Sequence, residues 1–195
     1  VVIRGPERQK NQELLEQVDH DLRKRIGAGI YGIDGETFPK VVGRTLRDAG
    51  ATLALAESCT GGVAGGLLTS EPGASDFFLG GVVAYANDVK INTLGVKAFT
   101  ISEAGAVSEA CAKEMAEGVR RITNATVGIS ITGIAGPASD SDRGGPSDKP
   151  VGTVCFGVAT IKSAKSVSKF FSGDRERIRR AAAYFARDLA RRHIQ

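Results

Sequence analysis

Residues 52–62 read TLALAESCTGG, an apolar run that passes into small polar residues and two glycines. Its apolar first half predicts a buried strand, and its two glycines introduce a predicted helix over about 61–70. Ser58, Cys59 and Thr60 therefore occupy a turn between a strand and a helix. Open α/β sheets bind ligands at such turns, so this one is either functional or simply a tight joint. The spacing is neither GxGxxG nor that of a P-loop, so no dinucleotide or nucleoside-triphosphate site is predicted.

Similar apolar runs alternate with helical patterns along the rest of the chain. The predicted strands cover residues 52–57, 78–86, 126–133, 151–160 and 166–173. The predicted helices cover residues of about 14–26, 37–50, 61–70, 88–94, 108–123 and 174–193. Strands interleaved with helices predict an α/β fold, a three-layer α/β/α domain with a mixed sheet. Because the last strands are separated by loops rather than helices, we expect that part of the sheet to be antiparallel.

The helix over 108–123 has the clearest signals. Ser108 can cap its N-terminus. Its apolar residues repeat at helical spacing and predict one stripe that faces the core, formed by Cys111, Met115, Val119 and Ile122.

Residues 1–33 are predicted to be the end of a linker module that precedes a main domain at 34–195. VVIRGPERQK at the start begins as if inside a strand and a helical pattern follows it, so we expect a short α+β remnant. The glycine-rich segment GAGIYGIDG at 27–35 has the character of a linker.

Composition indicates a globular protein. Of the 195 residues, 42% are hydrophobic, which is enough for a sizeable core. No apolar run approaches the roughly 20 residues that a membrane span needs, and no secretory signal is evident, so we expect a cytoplasmic protein without a membrane partner. The three cysteines are widely spaced without a CxxC motif, which favours reduced thiols and predicts no metal site.

The net charge of +4 is concentrated in two predicted helices, where a solvated helix face is the simpler explanation. Aromatic residues make up only 6% of the chain, which leaves little material for stacking on bases. Nucleic acid is therefore not an expected partner.

If Ser58 is a nucleophile, a neighbouring group must accept its proton. The two histidines, His20 and His193, lie in the linker remnant and at the C-terminal end, so a Ser-His-Asp arrangement is not indicated. Lysine, tyrosine or a carboxylate remain as bases, and the segment VVAYANDVK places Tyr85 at a strand end with Lys90 just beyond it. A lysine base needs its pKa lowered by about 3 units, which requires burial. Otherwise Lys90 is an ordinary solvated helix residue.

Two further segments point to the same end of the sheet. Residues 133–153 form a long loop rich in Gly, Pro, Ser and Asp, as lids and binding loops often are. In SGDRERIRR, Asp174 is a predicted N-cap, whereas Arg175 and Arg177 occupy a first turn in which the helix dipole disfavours cations. Arginines placed against this preference are candidate anion binders.

Six motifs occur in the order and approximate spacing of a known family. They are AESCTGG at 56–62, GGVVAYANDVK at 80–90, GAVSEACAKEMAEG at 105–118, ITGIAGP at 131–137, KPVGTV at 149–154 and GDRERIR at 173–179. Together they resemble the CinA C-terminal domain family, from about Thr37 to the C-terminal helix. Enzymatic members of that family are nicotinamide-nucleotide amidases. The resemblance therefore implies hydrolysis of nicotinamide mononucleotide to nicotinic acid mononucleotide and ammonia, without a metal or cofactor.

The resemblance also implies an organisation and a set of residue roles. Residues 1–33 would end the linker that, in full-length CinA proteins, follows a nucleotide-pyrophosphatase domain, and the protein would be a homodimer. Ser58 would be the nucleophile and Lys90 the base, with Tyr85 beside them. The remaining residues would bind the substrate: Thr60, Gly61 and Gly62 as donors to the oxyanion or phosphate, Thr132, Gly133 and Gly136 as lining, and Arg175 or Arg179 as the phosphate ligand.

Several alternatives stay open. Cys59 is a rival nucleophile that lacks a histidine partner, and Glu57 is either catalytic or a cap of the turn. A non-catalytic module that senses a pyridine nucleotide would keep the glycine turn and Arg175 but would not need a neutral Lys90. A nucleic-acid or competence-related partner protein would show weak, salt-dependent DNA binding.

Overall fold

The computed structural model describes residues 2–137 and 148–194 of the chain. Its residues divide into two units, Val1–Val41 and Val42–Gln195. The division falls inside α2 (Phe38–Asp48). The boundary between residues 33 and 34, inferred from the sequence, stays a prediction.

The first unit contains α1 (Arg8–Ile26), which ends in a 3-10 turn at Gly27–Gly29. Along α1, Arg23 pairs with Asp19 at 2.7 Å. Residues 2–7 form no strand, although their sequence predicts one. A strand is stable only beside a second strand, and the described part of this unit contains none, so the β portion of the expected α+β remnant is not formed.

The second unit is built on a five-stranded sheet with the spatial order β2-β1-β3-β4-β5. The strands are β1 (Leu53–Glu57), β2 (Phe78–Val83), β3 (Val127–Gly133), β4 (Thr153–Ala159) and β5 (Ala164–Phe170). β1 pairs in parallel with both β2 and β3, whereas β3, β4 and β5 pair antiparallel. The predicted mixed sheet and its antiparallel portion are confirmed.

Besides the part of α2 from Val42 onward, the helices of this unit are α3 (Val63–Thr69), α4 (Asn87–Asn92), α5 (Ala98–Ala104), α6 (Glu109–Thr123) and α7 (Arg175–Ile194). α5 is not among the helices predicted from the sequence. Its N-terminus is held by Glu114 of α6, which accepts hydrogen bonds from the Lys97 N–H and the Thr100 hydroxyl, both at 2.9 Å. Because this cap comes from another helix, the local sequence does not reveal it. Of the helices that the structure describes, none is long and apolar enough to cross a membrane.

α6 covers one face of the sheet. A buried cluster joins it to β1 and includes Ala54, Ala56, Cys111, Met115 and Val119. Ser108 accepts a hydrogen bond from the Cys111 N–H at 3.1 Å, so the predicted cap is confirmed. The prediction that Ile122 belongs to the buried stripe is wrong, because this residue, next to the last residue of α6, is about half exposed.

α7 covers the opposite face, as the alternation of side chains along β4 shows. Gly157 lies against the Ala112 carbonyl of α6. Its neighbour Phe156 packs instead on Phe185 of α7, with 4.7 Å between ring centroids. The predicted three-layer α/β/α arrangement is therefore confirmed.

Gly118 allows α6 to approach the segment that precedes α5. A Cβ at this position would collide with the Leu94 carbonyl oxygen. We expect Gly118→Ala to lower the free energy of unfolding by about 1–3 kcal/mol, although alanine is the better helix former. Gly66 of α3 is the matched control, because a Cβ there meets no atom within 4 Å, and Gly66→Ala should stabilise by about 0.5–1 kcal/mol. Urea titrations measure both changes, and stabilisation by both variants would contradict the packing explanation.

Candidate active site

The carboxyl ends of three parallel strands meet at one edge of the sheet. Ser58 follows β1 and donates its backbone N–H to the Ile131 carbonyl of β3 at 2.9 Å. Ala84 follows β2 and donates its N–H to the Glu57 carbonyl of β1 at 2.7 Å. Because these strand ends are hydrogen-bonded neighbours, the residues that follow them share one site, at the edge where open α/β sheets bind ligands.

Glu57 caps α3. The residue is 3% exposed, and its carboxylate accepts three backbone N–H bonds, from Gly62 at 2.9 Å, Ala64 at 3.1 Å and Gly65 at 2.8 Å. Its negative charge also faces the positive end of the helix. Of the two roles that the sequence left open for Glu57, the structure favours the cap.

Glu57→Ala is expected to lower the free energy of unfolding by about 2–3 kcal/mol. The substitution removes a charged acceptor from three backbone N–H groups at once. Glu57→Gln retains one carbonyl oxygen as an acceptor and should lose less. Urea unfolding of the two variants checks the order, and a Glu57→Ala protein as stable as wild type would contradict the capping role.

The backbone donors of the turn are only partly available to a ligand. Gly61 donates its N–H to the Ser58 carbonyl at 3.0 Å, and the Gly62 N–H is taken by Glu57. Among the described residues, the N–H groups of Cys59 and Thr60 have no acceptor on another residue. The Thr60 hydroxyl is fully buried and also lacks a hydrogen-bond partner there. Of the donors that the family resemblance implies, Thr60 keeps an N–H that is unpaired within the described ranges, whereas the N–H groups of Gly61 and Gly62 are engaged. The second such unpaired N–H in the turn belongs to Cys59, and both residues are buried.

Arg179 reaches this turn from α7. Its Nε donates to the Cys59 carbonyl at 3.1 Å and its Nη2 to the Thr60 carbonyl at 2.8 Å. The turn itself requires glycine at this point, since the φ of Gly61 is +59°, in the left-handed region. Part of the guanidinium is thus committed to the protein's own backbone.

Lys90 is buried beside the end of β2. The residue is 2% exposed, and its Nζ donates to the carbonyls of Ala84 at 2.9 Å and Tyr85 at 3.1 Å. Burial lowers the pKa of Lys90 below its ordinary value of 10.5, and the thiols of Cys111 and Cys59 oppose this to a smaller extent. The burial that a lysine base requires is therefore present.

The Ser58 side chain makes no hydrogen bond to Lys90 or to any other residue that the structure describes, and Ser58 is 8% exposed. Hydrogen bonds between catalytic groups are often long or absent without substrate and tighten in the complex. The Ser58 hydroxyl is thus not engaged elsewhere in the described protein.

Cys59 turns its thiol inward. The residue is 5% exposed, and a Cβ at Gly133 would lie 3.1 Å from its Sγ, so the thiol packs against the end of β3. Burial raises the pKa of the Cys59 thiol to about 12. Because the thiolate is the reactive form, this environment favours Ser58 over Cys59 as a nucleophile.

Arg175 binds one residue that follows β3 and one that follows β2. Its Nη1 donates to the Gly136 carbonyl at 2.6 Å, and its Nη2 donates to the Tyr85 hydroxyl at 3.1 Å. Tyr85 is 56% exposed, so this pair lies at the open rim while the Tyr85 carbonyl holds Lys90. The predicted N-cap is also confirmed, since Asp174 accepts the Arg177 N–H at 2.8 Å.

Two residues that were predicted to line the substrate have contacts within the protein. Thr132 is buried, and its hydroxyl donates to the Ala106 carbonyl at 2.8 Å. Gly133 provides the space into which the Cys59 thiol packs. Both residues lie at the site, but these contacts are structural.

A cavity of about 460 Å³ lies between α3 and α7, beside the turn, and is lined by Val63, Leu67, Arg175, Glu176, Arg179 and Arg180. Its walls combine two apolar side chains, three cationic ones and the acidic Glu176. Such a lining suits a ligand that has both an anionic group and an apolar or aromatic part.

The predicted site residues thus lie together at one edge of the sheet, after three strand ends and at the start of α7. The contact of Arg179 with the turn could not be predicted from local sequence, because the residues it binds lie 119 and 120 positions away along the chain. Residues 138–147 of the predicted binding loop lie outside the described residues. Within the described ranges, no group of three or more His, Cys, Asp or Glu side chains is arranged to hold a metal ion.

Comparison with known proteins gives one consistent result. The family model of the CinA C-terminal domain matches residues 35–194. A CinA-like protein of Thermotoga maritima is 42% identical over 186 residues, 95% of this chain but 44% of that protein, so the chain spans less than half the length of this relative.

Solved structures agree with this match. A competence-damaged protein (CinA) superfamily protein from Klebsiella pneumoniae is 34% identical with a TM-score of 0.74, over 78% of this chain and 92% of that one. A competence or damage-inducible protein from Enterobacter asburiae is 30% identical with a TM-score of 0.76, over 83% of this chain and all (100%) of that one. The chain therefore belongs to the CinA C-terminal domain family.

Proposed function

We propose that this protein is an amidase that hydrolyses the carboxamide of nicotinamide mononucleotide, giving nicotinic acid mononucleotide and ammonia, with Ser58 as nucleophile and Lys90 as base. The observation that carries the proposal is the buried Lys90 amine, held at the same sheet edge as the strand-to-helix turn of Ser58. The nature of the substrate, and the absence of a metal from the reaction, are taken from the family resemblance of the sequence.

The hydrogen bonds of Lys90 suit a neutral amine. A neutral amine has two N–H donors and one lone pair, and Lys90 has two carbonyl acceptors, on Ala84 and Tyr85. With both N–H groups engaged, the lone pair is left to accept a proton. The lowered pKa of Lys90 acts in the same direction, because it reduces the cost of keeping the amine neutral near pH 7.

The reaction then proceeds in two steps that balance. The Ser58 Oγ attacks the carboxamide carbon while its proton passes to the Lys90 Nζ, and the C–N bond breaks as Lys90 returns that proton to the departing ammonia. The resulting ester on Ser58 is attacked by water, whose proton again goes to Lys90. Lys90 then protonates the Ser58 Oγ as the acid leaves. Cys59 and Thr60 are the nearest candidates for backbone donors to the oxyanion.

Arg175 and Tyr85 are suited to the phosphate end of the nucleotide. Both side chains lie at the rim, and Arg175 places a guanidinium there beside the Tyr85 hydroxyl. A guanidinium can bind a phosphate through two parallel hydrogen bonds. Arg175 is the better candidate for the phosphate ligand, because it is exposed and only one of its two hydrogen bonds goes to a backbone carbonyl, whereas Arg179 is partly buried and both of its hydrogen bonds do.

Ammonia release from nicotinamide mononucleotide tests the proposal. Wild-type protein should release ammonia and form nicotinic acid mononucleotide in equal amounts, with and without a chelator. Free nicotinamide, which lacks the ribose phosphate, is the matched control and should react far more slowly. If the folded protein binds the nucleotide but releases no ammonia, the proposal fails in favour of a pyridine-nucleotide sensing module.

The proposal includes a homodimeric, cytoplasmic enzyme, as the family resemblance implies. Sedimentation velocity of the purified protein distinguishes monomer from dimer. A monomer that retains full activity would remove the dimer from the proposal without affecting the chemistry.

A further inference from the structure

The contact between Arg179 and the turn determines the direction of a backbone donor. Arg179 binds the carbonyls of two consecutive residues, Cys59 and Thr60. In a planar trans peptide the C=O and the following N–H point in opposite directions. Holding the Cys59 carbonyl therefore aims the Thr60 N–H away from Arg179, and holding the Thr60 carbonyl does the same for the Gly61 N–H.

These two N–H groups differ in their hydrogen bonding. The Gly61 N–H closes the turn on the Ser58 carbonyl at 3.0 Å. The Thr60 N–H has no acceptor among the described residues. Of the two peptide groups that Arg179 holds, one therefore stabilises the turn, and the other leaves an N–H that no described residue accepts, in a fully buried residue. A buried N–H without an acceptor costs free energy unless a ligand accepts it.

The opposite end of the turn is held by a charge of the other sign. The Glu57 carboxylate accepts the N–H groups of Gly62, Ala64 and Gly65. The five residues from Ser58 to Gly62 are thus fixed between an anion that binds N–H groups and a cation that binds carbonyls. A donor fixed in advance costs no reorganisation during the reaction, which is the property that makes oxyanion donors effective.

We propose that Arg179 is a positioning residue, which holds the Cys59 and Thr60 carbonyls so that the Thr60 N–H points at the oxyanion formed when Ser58 attacks the carboxamide. This inference rests on the proposed amidase function. It replaces the phosphate-binding role that the family resemblance implies for Arg175 or Arg179, as far as Arg179 is concerned. The guanidinium also polarises the peptide group that it binds, which strengthens the N–H of the same peptide as a donor.

Two substitutions at Arg179 and one control test the inference. Arg179→Met removes the donors, and Arg179→Lys keeps the charge but replaces the planar guanidinium with a single ammonium that cannot reproduce the paired contact. Arg192→Met is the control, because Arg192 is also on α7 but pairs with Asp188 at 2.6 Å. It removes the same charge from the same helix without touching the turn.

Steady-state kinetics with nicotinamide mononucleotide separate the two roles of Arg179. As a positioning residue, it should give a kcat lowered roughly 10²–10³-fold in Arg179→Met, as for loss of an oxyanion donor, with KM changed by about twofold or less. Arg179→Lys should rescue little, and Arg192→Met should match wild type. A raised KM with kcat preserved, or recovery in Arg179→Lys, would overturn the inference in favour of a phosphate ligand.

Hydrogen exchange separates failure of this inference from failure of the amidase proposal. Peptides that cover residues 57–65 should exchange faster in Arg179→Met than in wild type or Arg192→Met, whether or not the nucleotide is the substrate. If wild type is inactive but this difference is present, the amidase proposal fails and the hold on the turn stands. Unchanged exchange in Arg179→Met would overturn the inference even if the enzyme is active. Should Arg179→Met not fold, the Arg179→Lys protein supplies both measurements.

Discussion

Ser58→Ala is expected to abolish ammonia release from nicotinamide mononucleotide, with kcat reduced roughly 10⁴-fold or more. The substitution removes only the hydroxyl oxygen that would form the covalent bond. Among the described residues this hydroxyl bonds no other group, so the stability of the fold should change little. Ammonia release is measured on wild type and variant side by side, after unfolding curves show that both proteins are equally folded.

Cys59→Ala is the matched control for the nucleophile. Its thiol is adjacent in sequence but buried, and burial raises its pKa to about 12, so very little thiolate exists near neutral pH. Cys59→Ala should therefore retain kcat within about threefold, apart from any loss caused by the cavity left beside Gly133. If Cys59→Ala is inactive and Ser58→Ala retains activity, the nucleophile is the thiol and the Ser58 assignment is wrong.

The fold could be predicted where local pattern and tertiary structure agree. The strands and most helices follow from apolar periodicity, and the Ser108 and Asp174 caps follow from residues only three positions from the N–H groups they bind. α5 escaped prediction because its cap comes from Glu114, 17 residues beyond Lys97 along the chain. The apolar spacing at Ile122 matches the rest of the stripe, but its exposure depends on what packs near the end of α6, which periodicity does not encode.

The candidate site shows the same division. Sequence pattern located Ser58 at a strand-to-helix turn and Lys90 beyond the next strand. The two positions lie at the same edge of the sheet because the carboxyl ends of neighbouring parallel strands meet there. It could not show which donors of the turn remain available. That depends on the three hydrogen bonds to Glu57 and on a contact between Arg179 and residues about 120 positions earlier.

Lys90→Met is expected to lower kcat roughly 10²–10⁴-fold near neutral pH, the range for loss of a general base. Methionine has a similar length and no charge, so it should fill the buried space while removing the amine. The matched control is Lys97→Met, which makes the same substitution seven residues further along the chain. The Lys97 side chain is largely exposed, and its ammonium pairs with Glu114 at 3.8 Å. Full activity in Lys90→Met would leave Ser58 without the proposed base and would refute the mechanism.

The lowered pKa of Lys90 also fixes the sign of a stability change, which provides a second readout of the same group. In the unfolded chain Lys90 titrates near its ordinary value of 10.5, whereas burial lowers the pKa in the folded chain. Between these two pKa values the unfolded state binds more protons, so the free energy of unfolding rises with pH across that window.

Lys90→Met removes this contribution. As pH rises through the window, the wild type should therefore become more stable relative to Lys90→Met. This gain should level off above the pKa of the unfolded chain. If neutral Lys90 is the base, the wild-type kcat rises through the folded pKa at the lower end of that window. Urea titrations and kcat measurements at the same pH values locate both transitions. A common lower midpoint identifies Lys90 as the base, whereas a stability transition without a matching rise in kcat assigns the base to another group.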